Sequence, residues 1–355
     1  MQKLILLVGL CVFNTGPGVS ASQNLMCHFD SLSQERHADA HFSISDIDAN
    51  LCTHLIYGSV TIGSSGGLDI LPSDISSFSD FNDLKNSNSE LKTLLEINLL
   101  NNIPGLLNMI STEQNQNSFI QSTISAVQAH GFDGMNILWM YRPNYPGMTP
   151  QQFSELIKDL RLASSGLLLS ASISHKPFII DNSYEIPTLS ANVDFLNILS
   201  AGIDINFLSN PSNTAFQTTK SSIQHLISEG AEIGKLNMGI AAFGRAYATL
   251  SSSQSNQPDL SQPLMGYFGD NQGFFSHFEV CLHNSLTPST GQIRNAWLGY
   301  DSIPIIISKA EYIINNQLGG AFLMSIDQDD FSGEFCDEGN YPILQTLHNE
   351  LISEN

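Results

Sequence analysis

Apolar residues along the chain fall into short β-rich runs, separated by longer stretches in which they recur at helical spacing. The runs are NLMCHF (24–29), THLIYGSVTI (53–62), LKTLLEINLL (91–100), GMNILWM (134–140), GLLLSASIS (166–174), FLNILSA (195–201), LNMGIAA (236–242) and GAFLMSI (320–326). Between them, NSFIQSTISAVQAHG, PQQFSELIKDLRLA, TKSSIQHLISEGA and KAEYIINNQLGG place apolar residues three and four apart, and two of these end in the glycine that often stops a helix. The terminal YPILQTLHNELI reads as a last helix. Eight strands alternating with helices predict an α/β fold, a (β/α)8 TIM barrel. The stretch 244–308 is too long for a βα connection and has aromatic patterning of its own, as in GYFGDNQGFFSHFEV. It predicts a small α+β insertion between strand seven and helix seven. With no linker, repeat or appended module visible, the barrel and its insertion are expected to fill residues 22–355.

One run carries more information than the others. In GMNILWM, Asn136, Leu138 and Met140 fall at period two and share one face of an extended segment, while Met135, Ile137 and Trp139 share the other. Both faces are largely apolar, as in a parallel strand covered on two sides. Chemistry in such barrels sits where strands end and βα loops begin. A strand end without a carboxylate is therefore informative, because the chain around it is rich in acid.

The 355 residues hold 34 Asp+Glu against 13 Lys+Arg, a formal net charge of −21, with 42% hydrophobic residues. Nucleic acid and anionic membrane are excluded as partners on this balance, since phosphate binding needs clustered bases. Residues 1–21, MQKLILLVGLCVFNTGPGVSA, combine basic Lys3, an apolar run from Leu4 to Phe13 and small residues up to Ala21. This is the order of a secretory signal cleaved near Ala21, and no other run is long enough to span a bilayer. The mature chain is thus expected to be secreted and extracellular. Cleavage removes Cys11 and leaves Cys27, Cys52, Cys281 and Cys336, which spacing alone allows to pair in three ways. Neither a CxxC nor a Cys/His cluster is present, so no metal is expected, and no N-glycosylation site survives because Asn210 precedes Pro211.

Several motifs together resemble the family 18 glycoside hydrolases, the chitinases, and above all the vertebrate chitinase-like proteins. CHFDSLSQ resembles the family's CYFTNW, NLCTHLIYG its CLCTHLIYAF, and ELKTLLEINLLN its QLKTLLAIGGWN. GYDSI resembles GYDN, and GGAFLMSIDQDDFSGEFC resembles GGAMVWAIDLDDFTGTFC. The resemblance covers essentially the whole chain. It implies a fourth strand carrying DGxDxDxE, whose Glu protonates the glycosidic oxygen while the middle Asp orients the substrate's N-acetyl group as nucleophile. Here Asp133 and Gly134 remain, but Asn136, Leu138 and Met140 stand where the three acids belong. Leu and Met transfer no proton and Asn cannot ionise, so family-type catalysis is expected to be lost. No catalytic residue and no cofactor is assigned.

The resemblance also implies that Leu32, Leu100 and Met324 occupy tryptophan positions, that Leu199, Ala201 and Gly202 replace Met, Tyr and Asp of an MTYD motif, and that the loop around GIDINFLSNPSN is shortened. Phe243 replaces a Tyr while Arg245 is kept. Trp139 is expected to face the helices, and the other tryptophan, Trp297, falls in the insertion. Glu96 takes a small-residue position of the third strand and His28 the first strand's Tyr, which would aim both into the barrel near Asn136. These three are read either as a structural polar cluster filling a vacated site or as a new acid/base pair or small-ligand site. His28, Glu96, Asn136, Phe243 and Arg245 are the candidate ligand residues. The resemblance further implies the pairs Cys27–Cys52 and Cys281–Cys336. Three functions follow in order: an inactive secreted scaffold binding an unknown extracellular protein or glycan, a lectin for a shorter or different glycan, and an enzyme with chemistry relocated to Glu96 and His28.

Overall fold

The computed structural model describes residues 23–140, 146–200, 216–249, 258–268, 272–290 and 296–353. Each of the eight apolar runs forms a strand: Asn24–Asp30, His54–Ile62, Lys92–Asn98, Gly134–Leu138, Leu168–Ser174, Phe195–Leu199, Leu236–Ala241 and Gly320–Met324. Neighbours pair in parallel from first to eighth, and the first pairs with the eighth as well as with the second, which closes the barrel. A two-residue strand, Leu68–Asp69, adds an antiparallel flap to the end of the second strand.

The helices between strands follow from local sequence. In Pro150–Ala163, Thr149 accepts from the Gln152 backbone N–H, the Gln152 side chain accepts from the Thr149 N–H, and proline sits in the first turn; Phe153, Leu156, Ile157 and Leu160 are the buried face. Glu113–Ala129 is capped by Thr112 and buries Phe119, Ile120, Ile124 and Val127. The outward faces of the strands pack on these helices. Trp139 lies there, 6.4 Å from Phe153 between ring centroids.

The barrel interior is unusual in being polar. Barrels of this kind are commonly filled by branched aliphatic layers, whereas here Asn136, Ser170, Ser172, Asn197 and Asn237 are buried and hydrogen-bonded to one another across strands four to seven.

After the seventh strand the chain builds a second sheet, with Phe243–Thr249 pairing antiparallel to Pro258–Pro263, Phe274–Ser276 and Ala296–Gly299, and the helix His277–Thr290 beside it. The helix that returns to the barrel, Ile303–Asn315, begins inside the stretch 244–308. Disulfides join Cys27 to Cys52 and Cys281 to Cys336, the pairing that the motif resemblance implies. Residues 1–21, where a secretory leader is expected, and the positions Ala201, Gly202 and 203–213 lie outside the described residues. Among the described residues, no helix is long and apolar enough to cross a membrane.

Candidate functional site at the barrel mouth

The register of the sheet brings the site together. Glu96 lies opposite Asn136, Asn136 opposite Ser170, Ser172 opposite Asn197, and Asn197 opposite Asn237, so inward side chains on successive strands meet at one level. Asn136 Nδ2 donates to Glu96 Oε2 at 2.8 Å and to Ser172 Oγ at 2.9 Å. Its Oδ1 accepts from Ser170 Oγ at 2.7 Å and from Asn197 Nδ2 at 3.3 Å. Asn237 Nδ2 donates in turn to Asn197 Oδ1 at 2.9 Å. The other end of the chain is His28, whose Nε2 lies 3.4 Å from Glu96 Oε1.

The first, third and fourth strands therefore bring His28, Glu96 and Asn136 into one cluster, and all three are buried. Gly58 makes room for the imidazole, since a Cβ there would sit 2.1 Å from His28 Nε2. Burial pushes the His28 pKa down. The Glu96 charge and hydrogen bond, with smaller contributions from Asp30 and Asp327, outweigh that and hold it above the ordinary 6.5. Glu96 thus has a polar partner at each oxygen, the His28 imidazole and the Asn136 amide, as a buried carboxyl group requires.

A second group lies just outside. Asp30 caps the turn that follows the first strand, accepting from the Leu32 N–H at 3.1 Å. Its pKa is raised, by burial first and by nearby Asp327 second. Arg36 pairs with Asp327 at 2.6 Å. Phe243 and Arg245 are not part of the amide chain: the Arg245 guanidinium stacks on Phe274 at 3.6 Å, and Phe243 packs on the same ring at 5.3 Å between centroids. Sequence reasoning missed Ser170, Ser172, Asn197 and Asn237. The signal available was a single polar residue inside an apolar run for Asn197 and Asn237, and serines alternating at period two for Ser170 and Ser172.

Leu138 and Met140, 7% and 6% exposed, belong to the main hydrophobic core together with Leu100, and Met324 packs against the same core. Leu32 is the exception, 60% exposed at the rim. A metal site is not formed by the one grouping of three metal-capable side chains among the described residues. That grouping is His277, Cys281 and Cys336, and its sulfurs are joined in the disulfide.

Comparison with known proteins gives a consistent picture. The model for glycosyl hydrolases family 18 matches residues 24–329. Chitinase-3-like protein 2 of Homo sapiens is 29% identical over 99% of this chain and 98% of its own length. Chitotriosidase-1 of Mus musculus is 27% identical over 93% of this chain and 78% of its own. Among solved structures, human YKL-39, described as a pseudo-chitinase with retained chitooligosaccharide binding properties, superposes with a TM-score of 0.81 at 28% identity, covering 93% of this chain and 100% of that one.

Proposed function

Since the chain belongs to the glycosyl hydrolases family 18, we propose that it is a secreted, catalytically inactive member that acts by binding rather than by catalysis. The observation that carries this reading is the fate of the fourth strand. Positions 136, 138 and 140, where the family's motif puts three acids, hold Asn136 tied into an amide network and Leu138 and Met140 built into the hydrophobic core. A proton donor is worth about a hundredfold to ten-thousandfold in rate, and no group of these three can supply it. The nearby carboxylate, Glu96, is held between His28 and Asn136. That arrangement favours the structural reading of the His28–Glu96–Asn136 cluster over relocated acid/base chemistry. Secretion is supported by the order of features in residues 1–21 and by the two disulfides.

A lectin is the second reading, and the similarity to YKL-39 favours it. Against a chitin-type groove stands the state of the platforms. Leu100 is 5% exposed and Met324 partly buried, so neither offers a flat face on which a pyranose ring could stack. The partner is accordingly an extracellular protein or a glycan other than a chitin chain. The test is the initial rate on a fluorogenic chitobioside between about pH 3 and pH 8, a range spanning the carboxylate and imidazole pKa values. No turnover above buffer is expected, and measurable turnover overturns the proposal. Calorimetry with chitotetraose is expected to give binding no tighter than millimolar, about −4 kcal/mol, and a micromolar constant would overturn the loss of chitin-type groove binding.

A further inference from the structure

Beside the barrel mouth, the loop after the first strand, the end of the second strand and the start of the helix Pro72–Asp83 enclose a pocket of about 440 Å³. Four carboxylates line it, Asp30, Glu35, Asp69 and Asp74, and no Lys or Arg does. Two of the four are engaged within the protein: Asp74 accepts from Tyr57 Oη at 2.9 Å, and Asp30 caps its own turn. Glu35 and Asp69 are exposed, and their side chains have no hydrogen-bond or ion-pair partner among the described residues. The nearest cation in sequence, Arg36, is committed to Asp327.

The rim of the pocket is a separate observation. Leu32 and Leu71 line it at 60% and 55% exposure, and Ile75, one helical turn beyond Leu71, is 47% exposed. Large aliphatic side chains left in water around one concavity mark an interaction surface. Their chemistry narrows the occupant. Aliphatic rims pack against aliphatic side chains, while sugar rings prefer aromatic faces, and Leu32 stands where the motif resemblance implies an aromatic one. An anionic membrane surface is repelled by the four acids and by the formal charge of −21.

We infer that this pocket is a docking site for a protein partner that presents a basic side chain, Arg or Lys, flanked by aliphatic residues. The inference rests on the reading of the barrel as a binding scaffold and names the chemistry of what it binds. The cation enters between Glu35 and Asp69, the two carboxylates without internal partners, and the flanking aliphatic groups cover Leu32, Leu71 and Ile75. Electrostatic complementarity then sets orientation and encounter rate, and the apolar rim supplies the contact that survives in salt.

The experiment uses the full mature chain with methyl-labelled leucine and isoleucine. The probe is the peptide acetyl-Leu-Arg-Leu-amide, titrated to about 10 mM, the range of weak fragment binding. The Leu32, Leu71 and Ile75 methyl signals are expected to shift. The affinity should fall about tenfold when citrulline replaces arginine, and by a similar factor in the Glu35→Gln/Asp69→Asn variant, whose two side chains are exposed and outside the fold's hydrogen bonding. Unmoved methyls, or equal shifts with the citrulline peptide, overturn the proposal. Shifts at these methyls caused by tetraglucosamine but not by the peptide overturn it too, and identify the pocket as a cationic-glycan site. Chitobioside turnover is measured on the same sample. Turnover overturns the scaffold reading and with it the basis of the docking site, whereas unmoved methyls without turnover sink the docking site alone.

Discussion

Burial lowers the pKa of a histidine inside a barrel, and for His28 the group that does most to oppose this is Glu96. Burial alone would strip the proton, yet the groups facing the ring reverse the balance: Glu96 from the third strand, Asp30 from its own strand and Asp327 from beyond the eighth. The consequence for stability has a definite sign. A raised histidine pKa means that the folded state holds the proton more tightly than the unfolded chain does. The contribution is therefore complete below about pH 6.5, the unfolded value, and is lost as pH rises through the higher folded value. Thermal midpoints of the native protein should decline over that alkaline-going window. Glu96→Gln removes the first of the raising causes and leaves the burial, so its midpoint should be lower at pH 6 and should vary less from there upward. The imidazole resonance followed by NMR should also titrate at a lower pH in the variant. An unchanged imidazole titration in Glu96→Gln would mean that the pair does not set the charge of His28.

At the scale of elements, the C-terminal helix Pro342–Leu351 depends on a carboxylate from the segment after the eighth strand. Asp329 accepts from the N–H groups of Leu344 at 2.9 Å and Ile343 at 3.4 Å, filling donors that the first turn leaves open. It is fully buried, and burial lifts its pKa to about 7 although these N–H groups pull it down. The raised value makes stability fall as pH climbs from about 3.8 to about 7, because the folded state gives up the proton later than the unfolded one. Asp329→Asn cannot ionise. Relative to the native protein, its thermal midpoint should thus improve between pH 5 and pH 8, and a difference that stays flat or worsens over that range would refute the assignment.

The eight strands were legible because both their faces are apolar or because polar residues interrupt them at period two. The helix Pro72–Asp83 was not legible: PSDISSFSDFND buries Phe78 and Phe81 and little else that is apolar, too few residues to trace a stripe. The amide chain inside the barrel was half legible. His28, Glu96 and Asn136 were placed together by motif, whereas Asn197 and Asn237 read as ordinary interruptions of FLNILSA and LNMGIAA. Their meeting depends on interstrand register, set by closure of the whole sheet.

For the molecule as a whole, the question is whether the proposed loss of catalysis leaves an enzyme short of a few groups or a scaffold rebuilt around their absence. Leu138→Asp combined with Met140→Glu puts acids at two of the positions where the motif resemblance implies them and decides between these. The two native side chains are 7% and 6% exposed within the main core, so the new carboxyls enter an apolar environment that favours their neutral forms. A general acid there could hold a proton, but acid alone is not catalysis. The substrate must be gripped and oriented, which is worth several kcal/mol or more, and the residues at the positions where the resemblance implies aromatic platforms are not suited to it. Leu100 is buried, Met324 is only partly accessible, and Leu32, although 60% exposed, has no ring face. Asn136, where the first acid of the motif would stand, is already saturated by Glu96, Ser170, Ser172 and Asn197, so it has no spare group to offer a nucleophile or its partner acid. The double variant is therefore expected to fold, with a lower thermal midpoint than the native protein because polar groups replace core ones, and to leave a fluorogenic chitobioside intact. Cooperative unfolding followed by circular dichroism checks the first expectation, and fluorescence release over several hours checks the second. Turnover by the folded variant would mean that a substrate grip exists without aromatic side chains at positions 32, 100 and 324, which would make the barrel a disabled enzyme instead of a binding scaffold.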